Sequence, residues 1–240
     1  MTAEDYLSGQ VLLIDKPLHW TSFQVVNKLR WELKQTFKLK NIKVGHAGTL
    51  DPLATGLLII CTGKMTKQID TFQAQIKEYT GTLILGSTTP SYDLETAINE
   101  TFPTAHISSE LIEDTTKKFM GDIQQYPPVF SAIKKDGKRL YEFARAGEDV
   151  EIKARSVSIS EFEITKIDTS AQLSTGSITI DFRVVCSKGT YIRSLAHDFG
   201  KALQSGAHLS ALRRTKIGAF DVASATSVED FIKGLNNQSI

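Results

Sequence analysis

SITIDFRVVC, Ser177 to Cys186, is the stretch on which the fold turns. Ile178, Ile180, Phe182, Val184 and Cys186 recur at strict period two, which puts them on one face of a half-buried strand. Working outward, Val157 to Ile167 also has strand character, and Tyr191 to Gln204 reads as a helix. Nearer the N-terminus, VLLID (Val11 to Asp15) is a short apolar run ending at Lys16-Pro17, a strand followed by a turn. Thr21 or Ser22 can cap a helix in which Phe23, Val26, Leu29 or Arg30, Leu33 and Phe37 come at three- and four-residue steps, with lysines opposite. LLIICT, Leu57 to Thr62, is apolar throughout and suits a strand or a helix buried on both faces; periodicity leaves both open. Lys77 to Leu85 alternates weakly as a strand. Ser108 to Met120 reads as a helix with Ser108 or Ser109 as cap and Gly121 as stop, and Ser227 to Leu235 as a last helix. Strands and helices mix without a regular βαβ alternation or internal repeat. The expectation is therefore an α+β fold with a mixed, largely antiparallel sheet flanked by helices, one domain over residues 1–240, since no Pro/Gly/Ser linker divides the chain.

The 240 residues are 41% hydrophobic and 23% charged, enough apolar material for a core and too little charge excess for disorder. No run of about 18 uncharged apolar residues exists, and Glu4 and Asp5 stand where a signal peptide would carry Lys or Arg, so the expected compartment is the cytoplasm. Cys61 and Cys186 lie in apolar runs without C-x-x-C spacing, which supports neither a disulfide framework nor a thiolate zinc site. The formal net charge is only +1, but it is unevenly laid out. Gly9 to Lys67 carries +6 and Cys186 to Lys216 carries +5, whereas Pro90 to Gln125 carries −5. A basic face and an acidic back suit a polyanionic ligand, whose counterions Lys and Arg displace.

Several catalytic arrangements are excluded by spacing. There is no G-x-S-x-G elbow. Gly56 to Gly63-Lys64 has six intervening residues where a P-loop has four, and Met65 stands where the magnesium-binding hydroxyl belongs. No H-E-x-x-H occurs, and His19, His46, His106, His197 and His208 lack metal-ligand spacing, so no metal site is expected. What remains is VGHAGTLDPLATGLL, Val44 to Leu58, which gathers Gly45, Gly48, Gly56 and Pro52 around one carboxylate, Asp51. Glycines allow positive φ and close approach of a substrate backbone, and Pro52 biases the preceding residues toward an extended shape. The loop joins apolar Leu57 to Cys61 and follows the basic run Lys34 to Lys43, so the acid belongs where core and positive surface meet.

Gly45-His46-x-Gly48-x-Leu50-Asp51-Pro52-x-Ala54-Thr55-Gly56 resembles the signature of the TruB family of tRNA pseudouridine synthases. The resemblance extends to Asp15-Lys16-Pro17, Lys77-x-Tyr79, Tyr126-Pro127-Pro128-x-x-Ser131-Ala132, Lys138-Arg139-x-Tyr141, Ser187-Lys188-Gly189-Thr190-Tyr191-Ile192-Arg193 and Gly206-Ala207-His208-x-x-x-Leu212-Arg213-Arg214, covering roughly residues 9–220. It implies a pseudouridine synthase catalytic fold and isomerisation of a uridine in the T loop of tRNA, at tRNA position 55, with no cofactor or metal. By the same resemblance Asp51 is the essential catalytic residue, open to attack on the sugar C1′, attack on the base, or assistance to a glycal route. Arg193 is its cationic partner, joined to Asp51 by an ion pair, and Tyr79 packs on the target base above apolar Leu212. His46 fills the place that the flipped base vacates. Gly48 and Tyr141 join the substrate-binding set, and Lys16, Lys64, Lys67, Lys138, Arg139, Arg213 and Arg214 hold phosphates. The implied partner is the tRNA T arm, without membrane, guide RNA or protein partner, bound by a monomer. Only 20 residues follow Phe220, so the separate C-terminal PUA domain of many relatives is expected to be absent, which disfavours the guide-dependent Cbf5/dyskerin kind. The competing reading is a non-catalytic tRNA-binding or tRNA-folding module on the same scaffold. Asp51, Tyr79 and Arg193 discriminate, because pure binding has no use for a carboxylate facing a polyanion.

Overall fold

The computed structural model describes residues 1–237 except Ala132, Asp136 and Asp149; the side chains of Lys134, Lys135, Tyr141, Ala144 and Arg145 are also outside the description. The architecture is mixed α+β, with mostly antiparallel strand pairing and flanking helices. Two compact units form it: Met1–Tyr79 with Leu212–Ile240, and Thr80–Ala211. The strands Lys77–Leu85 and Ala207–Ile217 each carry the chain across that division.

In the first unit, strand Val11–Lys16 runs antiparallel to Ala54–Thr62, in register from Val11 with Cys61 to Lys16 with Gly56. The last part of Ala207–Ile217 lies parallel along the start of Ala54–Thr62, placing Leu212, Arg213 and Arg214 beside Ala54, Thr55 and Gly56. Helices Ser22–Thr36 and Val228–Asn236 cover one face. There Val25, Val26, Leu29, Leu33, Val228, Phe231 and Leu235 pack with Leu12, Ile14, Leu58 and Ile60. On the other face Leu57, Ile59 and Cys61 pack with Ala47, Ile217, Ile69 and Phe72. Ala54–Thr62 is thus a strand buried on both sides, which is why its sequence shows no alternation. The predicted helix starts are accurate: Thr21 and Gln24 form a capping box ahead of Ser22–Thr36, and Ser227 caps Val228–Asn236.

In the second unit, Arg155–Asp168 lies between Ile178–Cys186 and Gly121–Gln125, antiparallel to both. Ile178, Ile180, Phe182, Val184 and Cys186 are all buried, as their period requires. Phe162 and Phe182 meet edge to face, and Phe162 also contacts Phe199 of helix Ile192–Ala202. Ser108 caps helix Ser109–Thr116, which tightens to a 3-10 turn over Lys117–Phe119 and ends before Met120. Gly121 (φ +79) then opens a strand that its sequence did not announce.

Candidate active site

The chain from Ala47 to Leu53 links strand Val44–His46 to its antiparallel neighbour Ala54–Thr62, and Asp51 stands on this loop. The loop is pinned at several points. Ser22, the first residue of its helix, accepts from the Leu50 amide at 2.9 Å and donates to the Leu50 carbonyl at 3.1 Å. On the other side of the carboxylate, the His19 amide donates to the Pro52 carbonyl (2.8 Å) and the Ala54 amide to the Asp51 carbonyl (3.1 Å). Asp51 itself is half-buried.

One buried cation, Arg214, bonds this loop directly, and a second, Lys16, is buried close enough for Asp51 to act on its charge. Arg214, 1% exposed, donates from Nε to the Leu57 carbonyl (2.8 Å) and from Nη2 to the Gly48 carbonyl (3.0 Å). Gly56 makes this approach possible: at φ +101 an added Cβ would stand 2.3 Å from the Arg214 carbonyl oxygen. Lys16 is fully buried and donates to the carbonyls of Pro17 (2.8 Å) and Trp20 (2.6 Å). Burial lowers its pKa to about 8, opposed by the negative charge of Asp51, helped by Arg214 and opposed again by Asp15. Lys16 and Asp51 therefore feel each other's charge. Arg213 holds Asp15 bidentately at 3.0 and 2.6 Å. His46, half-buried, has its pKa lowered by burial and by Arg214, with a Gly48 backbone hydrogen bond opposing, so its imidazole is neutral at neutral pH. Leu212 is half-buried beside Ala54, and Tyr79 is buried near the start of Lys77–Leu85.

The first unit thus brings together Lys16, His46, Gly48, Asp51, Leu212, Arg213 and Arg214. Of the residues read as phosphate contacts, Lys16, Arg213 and Arg214 have protein oxygens as partners in this structure. Lys64 and Lys67 are exposed on the 3-10 turn Gly63–Gln68, which follows the end of Ala54–Thr62 remote from Ala54. Lys138 and Arg139 are exposed on a two-residue strand paired with Lys134–Lys135. The predicted Tyr141 contact falls on a side chain outside the description, as Ala132 of the motif does altogether.

Arg193 belongs to the second unit, as the second residue of helix Ile192–Ala202, and is 4% exposed. Its Nη1 donates to the Ser91 carbonyl (3.1 Å) and Nη2 to the Phe130 carbonyl (2.8 Å), with the Asp93 carboxylate 3.7 Å from Nη1. Asp93 was not singled out by sequence, because it opens a run of acids that reads as solvated surface. Among the described residues no group of three His, Cys, Asp or Glu side chains could hold a metal ion, and no helix is long and apolar enough to cross a membrane.

Solved structures define the class first. The chain superposes on a Cbf5-Nop10-Gar1 complex with TM-score 0.70 at 29% identity, covering 97% of this chain and 56% of that one. An H/ACA RNP bound to a substrate RNA containing 2′-deoxyuridine gives TM-score 0.67 at 26% identity, covering 98% of this chain and again 56% of that one. The chain therefore spans just over half the length of these solved chains, and its fold is that of the pseudouridine synthases. Sequence narrows the class to a family. The model described as "TruB family pseudouridylate synthase (N terminal domain)" matches residues 34–192, and that of the tRNA pseudouridylate synthase B C-terminal domain matches residues 193–238. The chain is 63% identical to tRNA pseudouridine synthase B of Flavobacterium johnsoniae, covering 98% of this chain and 100% of the relative. To the protein of that name from Phocaeicola vulgatus it is 54% identical, covering 98% and 97%. This chain belongs to the TruB family.

Proposed function

We propose that this chain isomerises uridine to pseudouridine in the T loop of tRNA, at tRNA position 55, with Asp51 as its catalytic carboxylate. The observation that carries the reading is the mounting of Asp51. A carboxylate in a basic segment is held on a loop pinned by Ser22 and by the buried Arg214, with the charge of buried Lys16 acting on it. Such bracing keeps the carboxylate placed before substrate arrives, so little reorganisation is needed in the transition state.

The reaction breaks the N1–C1′ bond, turns the uracil and forms a C5–C1′ bond; C5 loses its proton and N1 gains one. Atoms and electrons balance within the nucleoside, so the chemistry calls for no oxidant, reductant or group donor. Attack at C1′, attack on the base and assistance to a glycal route all require an ionised carboxylate, and Lys16 supplies positive charge on its protein side. A uracil inside an RNA loop must leave its stack to reach Asp51. In this reading Tyr79 and Leu212 replace the lost neighbours, and neutral His46 and Gly48 line the RNA side. Arg193 is the catalytic guanidinium, and exposed Lys64, Lys67, Lys138 and Arg139, with Tyr141, contact the RNA. The chain acts in the cytoplasm as a monomer, as one catalytic domain without a guide RNA or protein partner. Relatives named for tRNA, aligned over their whole length, support the substrate class.

Asp51→Asn tests the assignment. Product formation is abolished while affinity for unmodified tRNA stays the same or tightens, since a negative charge leaves an anion-binding surface. Turnover within tenfold of the unaltered protein would overturn it.

A further inference from the structure

Helix Ser22–Thr36 presents an outer face that the site described above leaves unused. Phe23 is 62% exposed and Trp31 is 55% exposed. They are eight residues apart, which places them on one stripe of the helix, separated by about 12 Å along its axis. Exposed Gln24, Asn27 and Gln35 lie on the same side, with Lys28 and Lys34 along it and Lys38 in the turn beyond. From Thr21 to Lys43 the only acid is Glu32, buried to 9% exposure and tied to Lys28 at 2.8 Å. Lys28 Nζ also stands 5.2 Å from the centre of the Trp31 ring, which steadies the indole while leaving it open to solvent. Arg30 is engaged elsewhere, donating to the Val44 carbonyl at 2.9 Å.

Two large exposed aromatics on one side of a helix mark an interaction surface, and a helix whose own exposed charges are all basic selects what that is. Aromatic faces interleaved with cations match unpaired nucleotides: bases stack on the rings, and phosphates displace counterions from the lysines. The start of the face is fixed to the site, because Ser22 bonds both the amide and the carbonyl of Leu50, next to Asp51.

We propose that the outer face of Ser22–Thr36 is a docking track for unpaired nucleotides of the RNA substrate flanking the target uridine, with Trp31 and Phe23 as stacking platforms and Lys28, Lys34 and Lys38 as phosphate contacts. The inference deepens the proposed function by naming a surface that holds the RNA without taking part in the chemistry.

The test uses the full chain and an unmodified tRNA transcript. Phe23→Ala/Trp31→Ala raises the Kd for tRNA tenfold or more, because two stacking platforms are lost, while turnover at saturating tRNA stays within twofold. The thermal midpoint is unchanged, since both rings are exposed. Lys34→Gln/Lys38→Gln flattens the slope of log affinity against log salt by about 1 to 2. An unchanged Kd and salt slope would overturn the proposal. So would a dimer of the unaltered chain that the aromatic variant splits, which would make a second copy the occupant. If the unaltered chain forms pseudouridine and the variants bind normally, only this surface falls. If it binds tRNA through this face and makes no pseudouridine, the proposed function falls and the surface stands.

Discussion

The two units of the molecule hold a functional charge in opposite ways. In the first, buried cations sit on backbone carbonyls around a half-buried carboxylate: Lys16 donates to Pro17 and Trp20, and Arg214 to Leu57 and to Gly48 of the loop that carries Asp51. In the second, a buried carboxylate and two carbonyls hold a cation, with Asp93, Ser91 and Phe130 around Arg193. Both rely on backbone carbonyls, whose dipoles are fixed by the fold. The difference is in what is spent on support. The first unit commits two positive side chains to backbone geometry in a protein proposed to bind a polyanion, so those cations serve placement rather than attraction.

The sharpest way to break the first arrangement is Gly56→Ala. The new Cβ meets the Arg214 backbone at 2.3 Å in a strand held at φ +101, so neither a rotamer change nor a flexible neighbour relieves it. Strain and overpacking together cost about 2–6 kcal/mol, a large part of the stability of a domain. The expected result is loss of soluble folded protein or a melting midpoint lower by ten degrees or more. Gly189, in the second unit, shares a positive φ (+84) but has nothing within 4 Å of the added Cβ, so Gly189→Ala costs only the backbone term, about 1–3 kcal/mol. Equal losses at the two positions would show that the close approach to Arg214 is not what Gly56 is for.

A second experiment reads the burial of Lys16. Its folded pKa of about 8 lies below the ordinary lysine value of 10.5, so between those pH values the unfolded chain binds a proton that the folded one has released. Stability contributed by this group therefore rises with pH through that window, by about 3 kcal/mol. Lys16→Met removes the rise, which urea midpoints at pH 7.5 and pH 10 would show as a difference between the two proteins. Parallel pH profiles would mean that Lys16 is solvated.

The smallest effect is expected at Arg193→Lys. One ammonium cannot reach both carbonyls and Asp93 as the planar fork does, so turnover falls tenfold or more with little change in RNA affinity. The burial of Arg193 adds a consequence that its sequence context did not suggest, a stability loss of about 1–3 kcal/mol from an unsatisfied carbonyl. A normal single-turnover rate with a shallower salt slope would make Arg193 a phosphate contact.

These outcomes bear on how much could be read before the structure. Ile178–Cys186 was legible because one face is buried and the other is not, and alternation survives translation into sequence. Thr21 and Ser108 were legible, each as one of two neighbouring cap candidates, because the capping hydrogen bond is local. Ala54–Thr62 was ambiguous because helices and loops cover both its faces. Ala207–Ile217 went unread as a strand: its burial does not alternate, and Arg213 and Arg214 look like surface until Asp15 and the Leu57 and Gly48 carbonyls are in place. The Asp51 loop announced itself through its glycines and lone acid. The burial of Lys16 and Arg214 on backbone carbonyls did not, since composition gives no sign that a lysine or arginine will be buried. Asp93 was hidden for the complementary reason, as one acid among seven between Pro90 and Gln125.

We propose that this chain makes pseudouridine in the T loop of tRNA. Incubating the purified, unaltered protein with an unmodified tRNA transcript in the absence of any other protein or guide RNA, then mapping pseudouridine nucleotide by nucleotide, tests it most directly. One new pseudouridine is expected, at tRNA position 55 and nowhere else, formed without added metal beyond the magnesium that folds the tRNA. A transcript that binds and is recovered unmodified, or one modified outside the T loop, would contradict it.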